Sequence, residues 1–155
     1  MHLDSAFAWC GATGDAARAR RQALREALLA IAELARNVDA DALFCAGDLY
    51  EHDRVTPDTA GFLRQTFAEL GPIRVYIAPG NHDFYGPQSL YATSNWSDNV
   101  HIFTEPRLQP VPLADGITLW GAAHCAPANT PNFLDRFRTD GDATHIALFH
   151  GAERS

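Results

Sequence analysis

Three side chains able to hold a hard or borderline metal ion, Asp48, Asn81 and His150, each follow an apolar run and each stand beside a glycine: Gly47, Gly80 and Gly151. Glycine allows a sharp turn and a close approach to a bound group, so these positions suit a crowded site at the rim of a sheet. A carboxylate, a carboxamide oxygen and an imidazole, with no thiolate, suit Mn²⁺, Fe or Zn²⁺ and disfavour copper(I) and iron–sulfur clusters. A carboxylate such as Asp48 can bridge two ions. Two ions about 3.5–4 Å apart clamp a phosphoryl group, lower the pKa of the water between them and stabilise an in-line displacement. The chemistry this set points to is phosphoester hydrolysis.

These residues need elements to bring them together. Leu24, Leu28, Ile31 and Leu34 recur at helical spacing between about Asp15 and Val38, with Arg18, Arg21, Arg25, Glu26, Glu33 and Arg36 around the rest of the cylinder, which predicts a surface helix with one buried stripe. Ala42–Ala46 is apolar without alternation, the pattern of a strand covered on both faces. Thr56 as cap, Pro57 at the first helical position, the apolar Phe62, Leu63, Phe67 and Leu70, and the stop at Gly71-Pro72 define a second helix. A second buried strand spans Ile73–Ala78. Phe84 to about Asn99 reads as a long loop with a short helix. Further strands are expected at Val100–Phe103, Ile117–Trp120 and His145–Phe149, and a short helix at Asn132–Arg138. Alternating strands and helices imply a layered α/β domain with parallel strands, whose ligands collect beyond the carboxyl ends of the strands.

Composition narrows the function classes. The chain has 155 residues and a formal charge of -7, and its 12 basic residues are all arginine. That excess of acid argues against a protein that coats nucleic acid by electrostatics alone. Cys10, Cys45 and Cys125 are odd in number and lack metal spacing, so they read as small apolar residues. The longest apolar stretch, Ala27–Ala32, falls far short of the ~20 residues of a membrane span, and Met1-His2-Leu3-Asp4 has no secretory pattern; no membrane association and a cytoplasmic location are expected. His52 and Asp53 read as a solvated loop, and His101 and His145 as structural. His124 follows a strand and could face the site. Arg18, Arg20, Arg21 and Arg25 fit a mixed-charge helix face, and Trp9, Trp96 and Trp120 fit core or rim positions.

Gly47-Asp48-Leu49-Tyr50-Glu51 and Gly80-Asn81-His82-Asp83 resemble the second and third signature blocks of the calcineurin-like metallophosphoesterase superfamily. His2-Leu3-Asp4-Ser5 resembles the end of its first block in the DNA-repair exonuclease branch, and Leu148-Phe149-His150-Gly151 resembles its next histidine block. The resemblance implies an α/β/β/α sandwich with mixed sheets. It implies two divalent ions, with Mn²⁺ first and Fe or Zn²⁺ next. Asp48 would bridge both, His2 would sit on the first, and Asn81 and His150 on the second. His82 would stand near the scissile phosphate as proton donor or transition-state stabiliser, held by Asp83, while Glu51 would support the loop. The implied substrate is a phosphodiester such as DNA, attacked by a metal-held hydroxide; a phosphomonoester or small-nucleotide substrate is the alternative. A homodimer or accessory subunit in the intact protein goes with that reading. The aspartate expected two places before His2 and a Gly-His-x-His expected after His150 are not in the sequence. Residues 1–155 are therefore expected to be a partial catalytic domain, incomplete at both ends, with weak metal binding or no catalysis of its own.

Overall fold

A computed structural model describes residues 1–5 and 14–151; Trp9 and Cys10 lie outside them. Helix α1 spans Gly14–Asn37. Its buried face is Leu28, Ala32 and Ala35, with Ala17 near its start, whereas Ile31 and Leu34 are 40% and 60% exposed. The predicted stripe is thus rotated: alanines without bulk face the core and let the helix lie close, and larger residues face outward.

Strands β1 (Ala42–Cys45), β2 (Arg74–Ile77) and β3 (Val100–Ile102) form a parallel sheet in that order, with Leu43 beside Val75 and Val75 beside Val100. Helix α2 (Pro57–Ala68) crosses from β1 to β2. Its start follows the local signals, since the Thr59 N–H donates to the Thr56 hydroxyl at 3.2 Å and proline occupies the first turn. Because strand side chains alternate, β2 serves two cores. Val75 and Ile77 pack with Leu28, Leu63 and Phe67 under the helices. Tyr76, followed by Ala78, packs with Phe103, Leu119 and Leu148 between the sheets. Central β2 has the expected cover on both faces. At the sheet edge β1 does not, and Phe44 is 38% exposed.

The second sheet is β4 (Gln109–Ala114), β5 (Ile117–Gly121) and β6 (Thr144–Leu148). The β4–β5 pair is antiparallel and β5–β6 is parallel, so the domain is a mixed α/β sandwich. Strand β4 escaped the sequence reading because Pro110 and Pro112 interrupt it. Proline is tolerated at an edge when its missing N–H falls on the unpaired rim, and β4 is such an edge. The loop after Phe84 contains the short helix α3 (Leu90–Thr93). Asn132–Arg138 is not helical: residues 133–136 form turns, and Phe133 packs with Leu108 and Ala122 over the outer side of β5.

Candidate metal centre

The carboxyl ends of β1, β2 and β6 meet at one rim. Gly47 and Asp48 both have positive φ, 77° and 55°, a left-handed turn that glycine accepts and aspartate tolerates. A Cβ on Gly47 would stand 2.5 Å from the Gly80 nitrogen, and one on Gly80 would overlap the Asp48 carboxylate. The two strand ends can touch only because neither glycine has a side chain.

Asp83 locks this contact from below. Its fully buried carboxylate accepts from Asp48 N at 2.9 Å, Leu49 N at 2.8 Å, Gly80 N at 2.6 Å and the Tyr91 hydroxyl at 2.6 Å. One side chain thereby ties the turn after β1, the turn after β2 and the start of α3. Burial, reinforced by the Asp83 charge, pushes the Cys45 thiol up to about 12 and also raises the Tyr91 hydroxyl. Both neighbours stay neutral beneath the site.

Above this layer the polar groups are open. Backbone bonds from His2 N to Asp48 O, 2.8 Å, and Leu3 N to Leu49 O, 2.9 Å, hold the first residues against the β1 turn. Glu51 accepts from two imidazoles at once, His2 Nδ1 on Oε1 and His82 Nδ1 on Oε2, both at 2.9 Å; the two rings meet edge to face at 4.7 Å. His150 Nδ1 lies 2.9 Å from the Ala46 carbonyl oxygen. A carbonyl only accepts, so this Nδ1 carries the proton. In all three rings Nδ1 is engaged and Nε2 points outward; for His2 and His150 this is the arrangement usual where a histidine ligates a metal.

Asp48 is the centre of that outer layer. Its Oδ2 lies 3.6 Å from His2 Nε2 and 3.3 Å from His150 Nε2, so imidazoles from the first residues and from the end of β6 converge on one oxygen. Its Oδ1 accepts the His82 backbone N–H at 3.1 Å. The His82 pKa is raised, first by its bond to Glu51; partial burial opposes this, and the charges of Glu51, Asp48 and Asp83 add to the rise.

Several expectations need correction. Asp83 does not hold His82: its oxygens serve backbone and Tyr91, and the His82 ring is held by Glu51. Glu51 is more than loop support. Its signal was its position three residues after Asp48, in the turn that leads into the 3₁₀ segment His52–Arg54. Gly151 is not at a crowded contact; a Cβ there would meet only the Phe149 ring, at an ordinary 3.6 Å. Asn81 is half-buried between Gly80 and His82, and its carboxamide has no hydrogen-bond partner among the described residues. His124 does face the site: its Nε2 donates to the His150 carbonyl at 2.9 Å, and its Nδ1 pairs with the Thr130 hydroxyl at 2.7 Å.

Ligand atoms of His2, Asp48 and His82 all lie within 4.8 Å of one another. Oxygen and imidazole donors with uncommitted lone pairs, and no thiolate among them, fit hard or borderline divalent cations. The family model for calcineurin-like phosphoesterases matches residues 6–153, a span that includes Asp48, Asn81, His82, Asp83 and His150. The chain belongs to the calcineurin-like phosphoesterase family. It is thus a phosphoester hydrolase by family, of a kind that usually uses divalent metals, and the Asp48 cluster is where this phosphoesterase has the donors to hold them. No curated protein matches the chain. Among the described residues no helix is long and apolar enough to cross a membrane.

Proposed function

We propose that the protein is a phosphodiesterase of the DNA-exonuclease type that works with two Mn²⁺ ions. The observation that carries this reading is the Asp48 carboxylate, one oxygen of which faces the free Nε2 atoms of His2 and His150. Asp48, His2, Asn81 and His150 would hold the two ions, with Asp48 shared between them, and His82 would stand beside them as the proton donor. Bound there, divalent cations supply Lewis-acid polarisation of the phosphoryl oxygens and a lowered pKa for water.

The chain's own residues do the remainder. Glu51 fixes the His82 ring through Nδ1 and favours its charged form. His82 is nearly half exposed, so its Nε2–H is available to donate a proton to the departing ester oxygen. His124 holds the backbone of His150 and thereby the direction of that ligand.

The test is hydrolysis of bis(p-nitrophenyl) phosphate and of p-nitrophenyl phosphate with Mn²⁺, with EDTA as control. Faster turnover of the diester, abolished by EDTA and by Asp48→Ala, supports the proposal. Preference for the monoester would instead favour a phosphomonoesterase on the same scaffold. Unchanged turnover in Asp48→Ala refutes the dimetal reading.

A further inference from the structure

Beside His82 lies a recess of about 260 Å³ that also reaches His52, Arg54, Asn81, Phe84 and Pro127. It is smaller than the ~300–1,000 Å³ of a drug-sized ligand site, which limits it to one small ring system. The wall is aromatic: the His52 and Phe84 rings stack at 4.1 Å with 24° between their planes. This stack is tied to the reaction site, since His52 N donates to the His82 carbonyl at 2.8 Å and Phe84 follows Asp83 directly. The sequence pattern treats His52 as part of a solvated loop, yet it is half-buried and its Nδ1 is buried with no partner. Arg54, exposed on the same turn, has no ion-pair partner among the described residues. Pro127, from the loop after β5, adds a second apolar surface.

An aromatic stack and an uncommitted guanidinium, gathered next to the group that faces the phosphate, match an ester whose neighbouring substituent is flat and aromatic. We propose that this recess is a nucleobase subsite: a base extends the His52–Phe84 stack, and Arg54 steadies the adjoining phosphate. Nucleobases stack on aromatic side chains with little regard to sequence, so the subsite selects nucleotide esters over aliphatic ones without reading a particular base. This rests on the phosphoester reading of the Asp48 site and assigns the substrate's other end.

Calorimetric titration of the Mn²⁺-supplemented protein with thymidine 5′-monophosphate and with 2-deoxyribose 5-phosphate tests it, because the sugar phosphate carries a hydroxyl where the nucleotide carries its base. The nucleotide should bind about 10-fold more tightly. Phe84→Leu, which keeps bulk but removes the flat face, and His52→Ala should each erase most of that ratio while leaving the sugar phosphate's affinity close to that of the parent. Arg54→Gln should weaken both ligands together. Equal affinities in the parent protein, or a ratio that survives both ring substitutions in folded variants, overturn the subsite. Failure of the underlying reading looks different. A protein that shows the base-dependent ratio but cleaves no phosphoester keeps the subsite and loses the hydrolase assignment, and one that binds neither ligand loses both.

Discussion

The two layers of the Asp48 rim are built on opposite rules. In the lower one, around Asp83, every oxygen has a donor and nothing reaches solvent. In the upper one, around Glu51, each imidazole is anchored at one nitrogen and left open at the other. Saturated bonding gives rigidity, because removing any partner strands a buried polar group. Partial bonding gives a site, because the free lone pairs already point together before a ligand arrives and need little reorganisation. The family resemblance had placed His82 and Asp83 in one catalytic pair, but in the structure they belong to different layers.

Substitutions in each layer should fail in different ways. The largest effect belongs to Asp83→Ala, which strands the Asp48, Leu49 and Gly80 N–H groups and the Tyr91 hydroxyl. At about 1–3 kcal/mol per unsatisfied buried group, partly relieved by water, a loss of about 3–5 kcal/mol is expected; urea denaturation would show it as a lowered midpoint with unchanged slope. An unfolding free energy within about 1 kcal/mol of the parent's would mean that Asp83 does not lock the lower layer. Asp48→Asn in the upper layer should leave the fold nearly intact but reduce Mn²⁺-dependent diesterase turnover by more than about 100-fold, beyond the ~10–100-fold typical of outer partners. Glu51→Gln, an outer partner by this account, should fall inside that range.

Glu51→Gln also carries a pH signature. The His82 pKa lies above 6.5 in the folded protein, so the stability its charged ring brings is complete below the unfolded value and is lost as pH rises through the folded one. In NMR titrations with EDTA, the His82 midpoint should lie above 6.5 in the parent and fall toward it in Glu51→Gln. An unmoved midpoint would break the assignment of that ring to Glu51. The smallest effect is chemical: Cys45, its thiol pushed up to about 12, should remain unlabelled by iodoacetamide in the native protein. Exposed Cys125 should label before Cys45, as read by peptide mass mapping.

The parts of the fold set by local rules were legible in the sequence. Thr56 and Pro57 start α2 where their chemistry places them, and the apolar run of β2 is buried as its pattern implies. What the chain could not reveal locally depended on neighbours. Phe44 has the same apolar character as Tyr76, but only the latter lies in the middle of a sheet. Ile31 and Leu34 satisfy the helical period, yet packing favoured the smaller Ala32 and Ala35. In the site, Asp48 and His150 could be singled out because each ends an apolar run beside a glycine. The division of work between Glu51 and Asp83 could not, since both are carboxylates near a histidine and only burial tells them apart.

Strand β4 closes one side of its sheet with Pro110 and Pro112 on the unpaired rim. Wherever proline stands, that rim offers no amide hydrogen to a passing extended chain, and a would-be extra strand finds acceptors without matching donors. The residues that hid β4 from a propensity reading therefore also protect the folded molecule from growing into a ribbon of copies along this border.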